Sequence, residues 1–256
     1  VAQARDVGPY TRREAARRKR AFLKVRRAEL QYRNQLRKVA RQIGDIVRGF
    51  GAWTPGAPEQ IVVTLHRYAE AIDPWARAVA ARMLADVSKR DELAWKELSK
   101  DMARNVRREI QQAPTGQTLR RLQEEQVTLI KSIPIDAAQR VHEIATGQLY
   151  SGQRADVLRA EIMQTGLVSR SKADLIARTE TSRASSNLVQ ARATHIGSQG
   201  YVWRTAKDEA VRPSHREMEG QYVRWDDPPT LDNLTGHAGA LPNCRCYSEP
   251  VFADVR

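Results

Sequence analysis

The sequence predicts a mainly α protein with long helices toward its N-terminus and a small, loop-rich α+β module at its C-terminal end. Three observations predict this class. Apolar residues recur at helical spacing from about residue 15 to residue 196. Aromatic residues make up only 6% of the chain and charged residues 29%, a balance that suits a helical, surface-rich protein better than an enzyme with a wide apolar cleft. After Gly200 the pattern changes to short alternating runs separated by Gly, Pro and Asp.

Thr11-Arg-Arg-Glu14 has the form of a capping box and opens the first helix, with Ala15, Phe22, Val25, Leu30, Leu36, Val39, Ile43 and Val47 as its apolar stripe. The stripe is thin, so this helix is expected to be ordered chiefly by a partner. Gly49 to Pro58 reads as a turn-rich linker. A helix follows over 59–70, and Asp73-Pro74 restarts another that runs to about Gln112, with Trp75, Val79, Met83, Leu84, Val87 and Trp95 packed in a core. Ala113-Pro-Thr-Gly116 breaks that run. Three short helices are expected over 118–132, 136–146 and 151–164, jointed at Gly147, Gly152 and Gly166. Ser171-Lys-Ala-Asp174 reads as a second capping box, opening a helix that ends at Gly197. Strands are expected over 201–205, 221–225 and 245–251. The expected division is a basic helix over 1–50, a helical region over 51–114, a second helical part over 115–199 and the small module over 200–256.

Charge is distributed unevenly. Residues 1–48 hold fifteen Lys/Arg against four Asp/Glu, so +11 of the net +13 lies there. That asymmetry points to a polyanionic partner, double-stranded DNA or an acidic protein surface, met by Arg12, Arg13, Arg17, Arg18, Lys19, Arg20, Lys24, Arg26 and Arg27. No stretch approaches the roughly 20 apolar residues that span a bilayer, and the basic segment lacks the Trp/Phe face of an interfacial anchor. A membrane partner is therefore not expected. The opening Val1-Ala-Gln-Ala-Arg-Asp lacks the apolar run of a signal peptide. Synthesis in a reducing cytoplasm is expected.

The most specific chemistry lies near the end, in Pro242-Asn-Cys-Arg-Cys246, which holds the only two cysteines of the chain. Cys-x-Cys spacing rarely permits a disulfide but aims two thiolates at one soft cation. Cys244, Cys246 and His215 are candidate ligands of a structural Zn²⁺, with His237 or Asp208 as the fourth. A small module with little apolar surface gains most from such a staple. No nucleophile elbow, Walker loop or Gly-rich phosphate loop occurs.

Taken in order, Ile176-Ala-Arg-Thr-Glu180, Trp203-Arg-Thr, Asp208, Val211-Arg-Pro-Ser-His215, Gly220, Pro242-Asn-Cys-Arg-Cys246 and Pro250-Val make the C-terminal half resemble a known family. It is similar to the head-morphogenesis, or minor head, proteins of tailed bacteriophages, typified by the F protein of phage Mu. The likeness covers roughly residues 115–252 and carries over onto Arg178, Glu180, Asp208, His215, Cys244 and Cys246. It implies a non-enzymatic protein of the phage head, made in the host cytoplasm and placed in the virion near the portal. Portal protein and major capsid protein are the partners it implies, with packaged DNA beside them. Arg178 or Glu180, together with Trp203, is expected to pin the C-terminal module to the helical part. The alternatives are a metal-dependent nuclease or other zinc hydrolase and, third, a non-specific DNA-binding protein.

Overall fold

The computed structural model describes residues 25–50, 56–99, 104–151 and 155–252. Within them lie helices α1 (Arg26–Gly49), α2 (Ala57–Ala71), α3 (Asp73–Leu98), α4 (Arg104–Gln112), α5 (Thr115–Ser151), α6 (Ala155–Met163), α7 (Thr165–His195) and α8 (Pro213–Glu217). Strands β1 (Gly200–Thr205), β2 (Tyr222–Arg224), β3 (Thr230–Leu231), β4 (Leu234–Thr235) and β5 (Cys246–Val251) all follow α7, with α8 between β1 and β2. The expected class, mainly helical with a mixed C-terminal module, is borne out. The chain divides into two compact units. A mixed unit comprises Val1–Glu29, Met83–Leu122 and Thr179–Arg256, and a helical unit comprises Leu30–Arg82 and Gln123–Arg178.

In the helical unit, α1 buries Tyr32, Leu36, Val39, Ala40, Ile43 and Val47, a stripe at spacings of three and four that needs no outside partner. Tyr32 and Ala40 widen a stripe that the larger aliphatic residues alone leave thin. The Tyr32 hydroxyl satisfies itself by donating to Gln126 Oε1 at 2.9 Å. The stretch from Thr11 to Lys24 lies outside the described residues.

Three expected breaks are absent. α5 runs unbroken through Pro134 and Gly147 for 37 residues. Proline in a helix interior costs about 3 kcal/mol, but Val127, Ile130, Ile133, Ala137, Ala138 and Val141 continue one buried face straight across it. Burial of each large aliphatic returns about 1.5–3 kcal/mol, so the face wins. Lys172 Nζ also reaches the Ser132 carbonyl at 3.3 Å, close to the disturbed turn. Ser171 is not a cap, because α7 already begins at Thr165 and Asp174 is taken by Arg37, which donates from Nε and Nη2 at 2.6 Å each. The joint expected at Gly166 falls two residues earlier, at Gln164 between α6 and α7, and Gly166 itself sits in the first turn of α7. A Cβ there would sit 2.9 Å from Gly44 Cα, so the two helices approach to backbone contact. The helix expected to reach Gln112 is described as α3 up to Leu98 and as α4 from Arg104 to Gln112, and residues 100–103 lie outside the described residues. At that end Ser99 Oγ turns back to the Lys96 carbonyl at 3.3 Å, competing for a helical acceptor.

The mixed unit is built on a three-stranded antiparallel sheet in the order β2-β1-β5. Registry pairs Val202 with Tyr222 on one side of β1, and Thr205 with Cys246 on the other. β1 alternates, so Tyr201, Trp203 and Thr205 point inward. Their cluster includes Trp95 of α3, Ile110 of α4, Val189 and Ala193 of α7, Val223, Trp225, Leu241 and both cysteines. A short hairpin, β3-β4, turns through Asp232 and Asn233 at φ 52° and 62°, the left-handed pair a two-residue hairpin loop demands.

A buried His-Cys-Cys cluster

The cluster is assembled from three separate pieces of chain. Pro213 opens α8 with its fixed φ, and two residues on the helix aims His215 inward, 1% exposed. Leu241 accepts from the Cys244 amide at 3.0 Å across a turn in which Asn243 takes φ 53°. The chain then straightens into β5, and because i and i+2 share a face in extended backbone, Cys244 and Cys246 point the same way. Both are buried and neither is in a disulfide. His215 Nδ1 lies 3.4 Å from Cys244 Sγ and 3.5 Å from Cys246 Sγ, and the three ligand atoms all fall within 4.8 Å of one another.

Those distances suit a metal. With Zn–S of about 2.3 Å and Zn–N of about 2.05 Å, the sulfur–nitrogen edge of a tetrahedron is about 3.6 Å. The electrostatics point the same way. A hydrogen bond from the Cys246 thiol, helped by His215 and by the Gly239 N–H at 3.3 Å, pulls Cys244 down to about 4 against its burial. Cys246 is pushed up, because it faces the Cys244 thiolate and is itself buried. The site thus favours thiolate at Cys244, and a soft divalent cation would bind both sulfurs as thiolates with release of protons. His215, Cys244 and Cys246 can therefore hold a metal such as Zn²⁺. The donor set fits.

The two candidates for a fourth ligand sit elsewhere. Asp208 forks onto the Arg245 guanidinium, accepting from Nε at 2.9 and 3.0 Å and also from Nη2. That contact holds its carboxyl below the usual carboxylate range. His237 packs edge-on against Tyr201 and Trp225, at 5.6 Å from each, with Nδ1 3.3 Å from the Tyr201 hydroxyl. Burial lowers its pKa and keeps it neutral. A cavity of about 30 Å³ lined by Ser182, Ser186, Ser248 and Cys246 reaches the cluster, room for about one water molecule.

Trp203 is fully buried with its ring edge-on to His215, 5.6 Å between centroids. Glu180 is buried beside Arg183, and Arg178 is exposed. Thr179, from the Ile176–Glu180 motif, and Ser186, one heptad on, tie this part of α7 to the chain around the cysteines. The Asn243 amide donates to Thr179 Oγ1 at 3.1 Å, and Ser186 Oγ donates to the Ala238 carbonyl at 2.8 Å. With Val189 and Ala193 these form one heptad-spaced face, hidden because half of it is Ser and Thr. Gly239, at φ 83°, sits against it. A Cβ there would meet the Cys246 carbonyl at 3.1 Å and Ser186 Cβ at 3.5 Å. Of the basic set, Arg26 and Arg27 are exposed at the start of α1, and Arg12, Arg13, Arg17, Arg18, Lys19, Arg20 and Lys24 lie outside the described residues.

Residues 139–249 match the family described as Phage Mu protein F like protein. The resemblance read from the ordered motifs is borne out over that span, a little under half of the chain, and the span contains all three cluster residues. An uncharacterized protein of Haemophilus influenzae is 34% identical over 126 residues, which is 49% of this chain and 28% of that protein. The chain thus spans little more than a quarter of the length of the curated relative it matches. No solved structure matches the chain. Among the described residues, no helix is long and apolar enough to cross a membrane.

Proposed function

We propose that the protein is a structural component of a tailed-phage head, a minor capsid protein that associates with the portal protein and the major capsid protein during assembly and DNA packaging. The observation that carries this reading is the Phage Mu F-like match over 139–249. The geometry supports it. Every ligand of the cluster is buried, Trp203 and Leu241 pack around it, and its polar contacts tie the cysteine loop to α7, all features of a fold staple. In this reading the protein is made in the host cytoplasm and resides in the virion near the portal. The basic residues from Arg12 to Arg27 face DNA or an acidic protein surface, and a structural Zn²⁺ holds the C-terminal module. Co-expression with the portal and major capsid proteins of the same phage tests this. Stable co-purification with either is expected, and a protein that stays free of both, while heads assemble normally without it, contradicts the reading.

One feature favours a second reading, a metal-dependent nuclease or other zinc hydrolase. Three protein ligands with a water-sized cavity alongside match the ligand count of a catalytic zinc. Incubation of the metal-loaded protein with duplex DNA separates the two. The structural reading expects no cleavage above that of His215→Ala. A third reading, sequence-independent DNA binding, requires affinity that falls steeply with salt.

A further inference from the structure

The helical unit carries a groove of about 250 Å³ that takes no part in the cluster. It lies along the crossing of α1 and the start of α7, where Gly44 and Gly166 bring the backbones together. Because the helices meet so closely, side chains beside the crossing stand up as its walls. Met163 and Leu167 line it with apolar surface, and Arg37, Arg41, Arg48 and Arg170 rim it with guanidinium groups. Asp174 takes Arg37, and Asp45 takes Arg48 at 2.5 Å. Arg41 and Arg170 both point into solvent, and Arg170 shares the field of Asp174 with Arg37. Four guanidiniums against two carboxylates leave an excess of two positive charges.

The groove continues into an apolar face. Leu167, Val168 and Leu175 are 62%, 47% and 42% exposed and lie within one side of α7 along about 12 Å of helix. Charge alone would suit a phosphodiester backbone, but DNA gives three exposed aliphatic side chains little to bury against. A protein segment carrying acidic and apolar side chains at helical spacing satisfies both requirements. The chain's own first 24 residues hold eight Lys/Arg against two Asp/Glu, the wrong sign to fill a rim of arginines.

We propose that the Arg41–Arg170 groove and the Leu167–Leu175 face of α7 dock an acidic amphipathic helix of a partner protein. A photoreactive benzoylphenylalanine at position 168 tests this in phage-producing cells, a sample chosen on the head-protein reading. The expected product is a cross-link to a second protein, mapped to a segment with net negative charge and apolar residues three and four apart. Arg41→Glu combined with Arg170→Glu should cut its yield by at least about tenfold, since like charges set against each other cost several kcal/mol. Both side chains are exposed, so the variant keeps its fold, and an unchanged melting curve verifies that. No cross-link, a cross-link to DNA, one to a segment without acidic residues, or one indifferent to the charge reversal overturns the proposal. Cross-linking is read whether or not the protein enters heads. Loss of docking with normal portal association therefore sinks this inference alone, and loss of portal and capsid association sinks the head-protein reading.

Discussion

The two units bury their polar groups in opposite ways. In the helical unit the ion pairs are exposed or half-buried, as with Arg77 between Asp73 and Glu124, Lys131 between Glu70 and Asp73, or Arg37 on Asp174. Its interior is aliphatic apart from Tyr32 and Gln126 and a few small hydroxyls. The mixed unit instead sinks charge and hydrogen-bonding chemistry into its centre. Arg192 and Asp91 pair at 2.6 Å with side chains 5% and 2% exposed, and His215, Cys244 and Cys246 share one buried site. Exposed pairs contribute little, so the helical unit tolerates loss of any one of them. A buried polar centre fails badly when one member is removed. One chain thus relies on additive packing in one unit and on a few indispensable contacts in the other.

Metal removal should expose that difference most strongly. Structural zinc supplies on the order of 10 kcal/mol in isolated modules. Chelation should therefore unprotect amides of β1, β2 and β5 in hydrogen exchange and leave the buried segments of α1 and α5 protected. Equal loss in both units would erase the contrast. Next in size is Arg192→Ala, which strands the Asp91 carboxylate in the core and also removes the donor to the Ile110 carbonyl. A loss of about 3–5 kcal/mol is expected, read by denaturant unfolding. Arg77→Ala should change stability by less than about 1 kcal/mol.

The helical unit has its own weak point in geometry. Gly166→Ala forces a methyl group against the Gly44 backbone and should cost about 1–3 kcal/mol, while Gly147→Ala, with open space around it, should be neutral or stabilising. The smallest effect expected is in pH. Burial depresses the His237 pKa, so its contribution is present above the unfolded value of about 6.5 and is lost as pH falls through the lower folded value. Arg37 depresses Asp174, so that contribution is lost only below about 3.8. Asp91 of the same unit acts in the opposite sense, since burial raises it to about 6, so the His237 contribution is read as the difference between wild type and variant. His237→Phe should remove the early phase from a pH series of exchange rates.

What the sequence discloses follows the same division. The helices are legible because their apolar period is strong, and the strands after Gly200 because alternation and turn residues coincide. The three cluster residues are legible because Cys-x-Cys with an upstream His admits few uses. The Thr179-Ser186-Val189-Ala193 face is not, since small polar residues at heptad spacing look like a solvated surface until the cysteine loop is seen against them. Pro134 and Ser171 misdirect for a related reason. Local signals weigh about as much as one buried aliphatic side chain, and α5 and α7 each bury several. The Gly44–Gly166 crossing leaves no trace in either segment alone, because closeness is a property of the pair.

Metal content of the purified protein, measured by elemental analysis without chelators, tests the buried cluster most directly. About one equivalent of zinc per chain is expected, falling to background in Cys244→Ser and Cys246→Ser. Less than about 0.2 equivalents in the folded wild-type protein would contradict the account, leaving two thiols and an imidazole joined only by hydrogen bonds.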